Sequence, residues 1–195
     1  IYSLGNLSSK VIGFILLPLY TGYLSVSEYG ILAILEATSQ ILIGIFGFNL
    51  TTSMMRWCAS ETLFQKQKEI ISSALFSIII IASLFSFVTI PFSLEISELI
   101  FNSGKFENYI LIMLLSVSFG IISNVPLEVI RFREKAAFYV FLTASKFLLI
   151  VLLNIYFIIY QKLGVEGIIL SQLIGYIYVI IFSFPFLFKN IVPSY

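Results

Sequence analysis

Six long apolar stretches separated by short polar gaps account for most of this chain: Leu4–Leu24, Gly30–Met55, Ile70–Phe92, Tyr109–Ile130, Ala137–Tyr160 and Gly167–Phe188. Each reaches the ~20 residues that a helix needs to cross a hydrocarbon core of ~30 Å. The runs are about twice as long as a barrel strand and do not alternate in polarity, so the pattern predicts helices and not strands. The expected fold class is an all-α integral membrane bundle of six transmembrane helices, with residues 1–195 forming one lobe.

The gaps are Ser25–Tyr29, Arg56–Glu69, Ser93–Asn108, Arg131–Ala136 and Gln161–Glu166. Basic residues fill every second one. Arg56, Lys66 and Lys68 lie in the second gap, Arg131, Arg133 and Lys135 in the fourth, and Lys189 follows the sixth stretch. In an alternating bundle those seven of the eleven basic residues share one side, against Lys105 and Lys162 on the other. Lysine and arginine accumulate in cytoplasmic loops. Both ends of the chain are therefore expected in the cytoplasm. Pro91 is expected to end the third helix. Leu94, Leu99, Ile100 and Phe101 then suit a short helix lying in the interface, with a plain loop as the alternative.

Composition agrees with the pattern. Hydrophobic residues make up 59% of the chain and charged residues 11%, with a mean hydropathy of +1.06. A soluble domain is nearer ~45–50% apolar and about 25% charged. The net charge of +1, with cations clustered between spans, gives no reason to expect a nucleic-acid partner. The expected surroundings are membrane lipids. The single Cys58 cannot form an internal disulfide. The first stretch has no basic leader and no small-residue cleavage site, so it does not read as a signal peptide. The chain starts at Ile1 without Met and stops shortly after an apolar span, which reads as a fragment of a longer protein.

Charges inside a spanning helix cost about 2.5–3.5 kcal/mol each on insertion scales, and they persist where they pair or face a wet cavity. Lys10 shares a helical face with Asn6, Gly13, Leu17 and Thr21, close to a kink-favouring Pro18. It reads either as a cavity cation or as a lysine reaching back to the interface. Lys146 lies nine residues past Ala137, roughly 13 Å into its span at 1.5 Å per residue. Its face carries Tyr139, Thr143, Ile150 and Asn154. A cavity role and a pairing with a neighbouring helix both fit. Glu36 belongs to a stripe with Gln40, Gly44 and Gly47, whose small members would admit another helix. It can serve as a counter-ion, a protonatable coupling group or polar glue. The candidate cavity residues are therefore Lys10, Glu36, Gln40, Lys146 and Asn154. Arg56, Arg131 and Arg133 end helices on the basic side. They read as anchors or, more sharply, as a cytoplasmic mouth that captures phosphate with guanidinium geometry.

Two segments echo each other. Ser9-Lys10 and Ser145-Lys146 each open an apolar run, each is followed by a glutamate near a glycine (Glu28/Gly30, Glu166/Gly167), and each next span carries Ser-Gln (Ser39-Gln40, Ser171-Gln172). Chance matching and related helical hairpins both account for this, and parallel repeats do occur in transporters.

The chain has no His and no Asp. That removes His-based metal sites and Ser-His-Asp triads, and no phosphate-binding Gly-rich loop with Lys-Ser/Thr is present. No enzyme activity, metal or cofactor is expected.

Several short motifs together carry a family resemblance. A first span holding Lys10 and ending in Pro18-Leu19-Tyr20 is followed by Leu24-Ser25-Val26-Ser27-Glu28-Tyr29-Gly30. Arg56 follows the second span, Arg131-Phe132-Arg133-Glu134-Lys135-Ala136 precedes the fifth, and Leu163-Gly164-Val165-Glu166-Gly167 joins the fifth and sixth. The set resembles the polysaccharide-type flippases of the multidrug/oligosaccharidyl-lipid/polysaccharide exporter (MOP) superfamily. The resemblance implies one lobe of a two-lobe transporter of twelve to fourteen helices in the bacterial cytoplasmic membrane. It implies alternating access around a central cavity. The implied cargo is undecaprenyl-diphosphate-linked oligosaccharide, with cavity cations meeting the diphosphate and sugar. The second lobe falls outside this chain. Three alternatives stand beside that reading, one of them a non-transporting membrane scaffold, against which only the polar intramembrane faces speak. A cation-coupled multidrug exporter of the same superfamily usually leans on first-lobe acids, of which Glu36 is the clear membrane-embedded one here. A membrane-embedded polysaccharide-assembly enzyme is disfavoured by the missing His and Asp.

Overall fold

The computed structural model describes residues 16–191. Within them the chain is helical throughout. The described part of the first helix, α1, covers 16–23. It is followed by α2 (Val26–Ser60), α3 (Phe64–Thr89), α4 (Ser93–Phe101), α5 (Glu107–Phe132), α6 (Ala136–Ile155) and α7 (Val165–Asn190). Five helical segments among the described residues are long and apolar enough to cross a membrane. The protein is a multi-pass, all-α membrane bundle. Most of the first predicted span, Leu4–Leu24, and with it Lys10, lies outside the described residues.

Local chemistry sets the helix limits. α2 starts earlier than its apolar stretch because Ser25 and Glu28 form a reciprocal cap: the Glu28 backbone N–H donates to the Ser25 hydroxyl, and the Glu28 carboxylate accepts from the Ser25 backbone N–H at 2.8 Å. It also continues past Met55 through Arg56 and Trp57 to Ser60, because a helix end protruding into water needs no apolar side chains. α3 stops at Thr89, and Pro91 falls in the 3-10 turn Ile90–Phe92. The short helix suggested for the third gap is present as α4, with Leu99 84% exposed. α6 passes into a π-helical turn, Tyr156–Tyr160. The turn before α7 needs Gly164, whose φ of +54° and ψ of −127° suit glycine alone.

α5 is the centre of the bundle. It packs against α2, α3 and α7, and Ile110, Val117, Ile121, Val125 and Val129 are fully buried on it. Small and hydroxylic residues line its contacts. Ser86 and Ser118 hydroxyls meet at 2.6 Å between α3 and α5, and Gly47 of α2 lies against Ile121 and Asn124. Apolar packing gains little where the alternative is lipid, so close approach and hydroxyl pairing hold such helices together. Gly44, grouped with Gly47 in the sequence, faces open space.

The helices alternate in direction as the gap pattern requires. Arg133 of the fourth gap hydrogen-bonds Gln67 of the second and Asn190 at the end of α7. At the other end, a Cβ placed on Gly164 in the fifth gap would lie 3.4 Å from Glu28 Oε1 in the first. The basic gaps therefore share one end of the bundle.

Candidate functional site

A cavity of about 640 Å³ opens between α1, α2, α5, α6 and α7. Periodicity builds its walls. α6 contributes Tyr139, Thr143, Lys146 and Ile150 at spacings of three and four, α2 contributes Tyr29, Glu36 and Gln40, and α7 contributes Gln172 and Tyr176. Helix α1 adds Leu16, Leu17 and Tyr20, and α5 adds Asn124 and Leu127.

The cavity has one cation and one carboxylate among its described residues, and they are not paired with each other. Lys146 Nζ lies 4.0 Å from the centre of the Tyr176 ring, a cation–π contact. Its aliphatic stem runs past Gly175, where a Cβ would come within 3.4 Å of Lys146 Cε. No ion pair to Lys146 forms among the described residues, where the two salt bridges are Lys66–Glu61 and Arg131–Glu128. Glu36 accepts a hydrogen bond at 2.8 Å from Gln172 Nε2. Among the described residues its hydrogen-bond partner is this neutral amide donor. Both Ser-Gln pairs of the internal echo send their glutamine to the same cavity, and Ser39 and Ser171 each bond back to the carbonyl four residues earlier, in Leu35 and Gly167.

Asn154 departs from its expected place. It continues the Lys146 face by one turn but is 0% exposed and does not line the cavity. Its Nδ2 donates at 3.3 Å to the hydroxyl of Tyr20, which is the residue that reaches the cavity. Lys10 is outside the described residues.

The three arginines separate. Arg56 is exposed beside a notch it lines with Ser53, Trp57 and Ser60. Arg131 grips both carboxylate oxygens of Glu128, at 2.8 and 3.0 Å, and lies 5.7 Å from the ring of Tyr139 on the cavity wall. Arg133 is engaged elsewhere. It donates from Nη1 to Gln67 Oε1 at 2.7 Å and from Nε to Asn190 Oδ1 at 3.0 Å. Its guanidinium stacks 4.4 Å from the centre of the Phe64 ring. Burial pulls its pKa below the ordinary arginine value, and a guanidinium still keeps its charge at physiological pH. Arg133 thus faces α3 and α7, where its partners lie.

Sequence reasoning missed Gln172 as the partner of Glu36, and Tyr176, Tyr29 and Asn124 as wall residues. Gln172 and Tyr176 sit four apart on one span, which was the available signal. Tyrosine and single amides are too common in membrane helices for that signal to stand out.

No protein-family model matches the chain, and no curated protein matches it significantly. Solved structures do match. An outward-facing multidrug resistance MATE family transporter of the MOP superfamily aligns with a TM-score of 0.75 at 15% identity, over 97% of this chain and 46% of that one. The fold resembles that of one half of these MOP-superfamily transporters. A MOP superfamily transporter from Pyrococcus furiosus, for which a binding pocket of reverse polarity is described, aligns with a TM-score of 0.69 at 15% identity, over 99% of this chain and 45% of that one. The chain thus spans about half the length of the MOP transporters it matches.

Proposed function

We propose that this chain is the first lobe of a flippase that moves undecaprenyl-diphosphate-linked oligosaccharide across the bacterial cytoplasmic membrane. The observation that carries the reading is Lys146: a lysine on the cavity wall, held on an aromatic face and without a carboxylate partner among the described residues. A diphosphate would supply the missing counter-charge, and a contact of that kind gains strength in a site of low dielectric. The rest of the wall suits sugars. Tyr20, Tyr29, Tyr139 and Tyr176 offer ring faces, and Gln40, Asn124, Thr143 and Gln172 offer hydrogen-bonding groups. A second lobe would complete the pathway, and the two would rock about the head group. The basic end faces the cytoplasm in this reading, with Arg56 and Arg131 near the entry.

A second reading, a cation-coupled multidrug exporter, is favoured by Glu36 on the same wall and by the multidrug transporter among the structural matches. Deleting the gene for the full-length protein in its host separates the two. The flippase reading expects surface glycan to be lost, its lipid-linked precursor to accumulate, and drug susceptibility to stay unchanged. Intact glycan with hypersensitivity to cationic drugs would transfer the assignment to the exporter.

A further inference from the structure

We infer that Arg133, Gln67 and Asn190 form a clasp that binds the basic ends of α2, α3, α5 and α7 into one closed body. The inference does not depend on the cargo. Arg133 caps the C-terminus of α5 and reaches outward in two directions, to Gln67 in the first turn of α3 and to Asn190 in the last turn of α7. Each partner passes the connection on. Gln67 Nε2 donates to the backbone carbonyls of Cys58 at 3.2 Å and Glu61 at 2.7 Å, at the end of α2. Asn190 Nδ2 donates to the carbonyl of Phe186 at 2.9 Å, within α7. Helix C-termini leave their last carbonyls without donors, and here Gln67 supplies them for α2. The guanidinium also lies close to two rings, 4.4 Å from the centre of Phe64 and 5.3 Å from that of Phe132.

The arrangement needs arginine. A planar fork can donate along two directions while its face stacks on a ring. Lysine offers a point charge without a stacking plane. The clasp is also separate from the cavity, since none of its three polar members lines it. Its role is to hold helix ends. Any movement that exposes the cavity to either side must then carry the four ends together.

The chain carries its own reporter. Cys58, its single cysteine, is 1% exposed and lies against Gln67, with Sγ 3.9 Å from the Gln67 carbonyl oxygen. The test uses purified full-length protein in which any cysteine outside this chain is replaced, and follows the rate of Cys58 modification by a water-soluble maleimide. In the otherwise unchanged protein, Cys58 should react at least about tenfold more slowly than a cysteine at the exposed neighbouring position in a Lys135→Cys, Cys58→Ser protein. Arg133→Met should accelerate Cys58 modification by about tenfold or more, the size expected when a charged hydrogen bond no longer holds a local opening closed. Arg133→Lys should fall between. Thermal melting of each variant separates local opening from global unfolding; should Arg133→Met fail to fold, Arg133→Lys and Asn190→Ala carry the same test. Folded variants whose Cys58 stays as protected as before, or an unmodified protein whose Cys58 reacts as fast as the position-135 cysteine, would overturn the clasp.

Discussion

Lys146→Met in the full-length protein is expected to lower glycan export by at least tenfold while leaving membrane insertion and melting temperature close to those of the unmodified protein. Methionine keeps the length and apolar stem that run past Gly175 and removes only the charge above Tyr176. A hydrogen bond to a charged group is worth about 1.5–3 kcal/mol, and about 1.4 kcal/mol is tenfold in affinity. Stability should be little affected, since no ion pair to Lys146 among the described residues is broken. Lys146→Arg should retain part of the activity. It keeps the charge, but the guanidinium must fit where Gly175, Ile150 and Tyr176 already crowd the stem. Complementation of the deletion strain, with surface glycan and protein level read together, checks both variants.

The largest loss of stability is expected from Gly167→Val. A Cβ on Gly167 would sit 2.6 Å from Phe157 Cβ and 3.3 Å from Leu163 Cβ. Both are anchored to backbone and cannot rotate away, so the turn between α6 and α7 would have to open. Overpacking of this kind costs about 1–3 kcal/mol, and the branched side chain places the variant at the upper end. Gly120→Ala is the contrasting case. The nearest atom to its new Cβ is the end of the Ile43 side chain, at 2.7 Å, and a flexible end can move. Thermal melting of the purified full-length protein should therefore show a large drop for Gly167→Val and a small one for Gly120→Ala. Equal drops would contradict the packing described here.

What could be read in the sequence and what could not divide along physical lines. The five spans among the described residues and their alternation were legible because both follow from hydrophobic length and from where cations stop. The cations of the alternate gaps do come together at one end, where Arg133 meets Gln67 and Asn190. The Lys146 face was legible over Tyr139, Thr143, Lys146 and Ile150, all on the cavity wall, because helical period fixes it. It failed at Asn154, one turn further on, where Tyr20 comes between the amide and the cavity. Periodicity says which residues share a face and not where a neighbouring helix covers it. Glu36 and Arg133 show the same limit. The sequence left several roles open for each, and each meets neutral amides across the bundle, in Gln172 and in Gln67 and Asn190. Amide partners leave no charge pattern to be read.

The role proposed for this lobe is to meet its cargo through cavity cations. Its most direct measurement is the affinity of purified full-length protein for undecaprenyl-diphosphate-linked glycan, compared between the unmodified protein and the Lys10→Met, Lys146→Met double variant. A loss of about tenfold or more is expected, the worth of at least one charged contact, in a variant that melts normally. Equal affinity in the two proteins would contradict it.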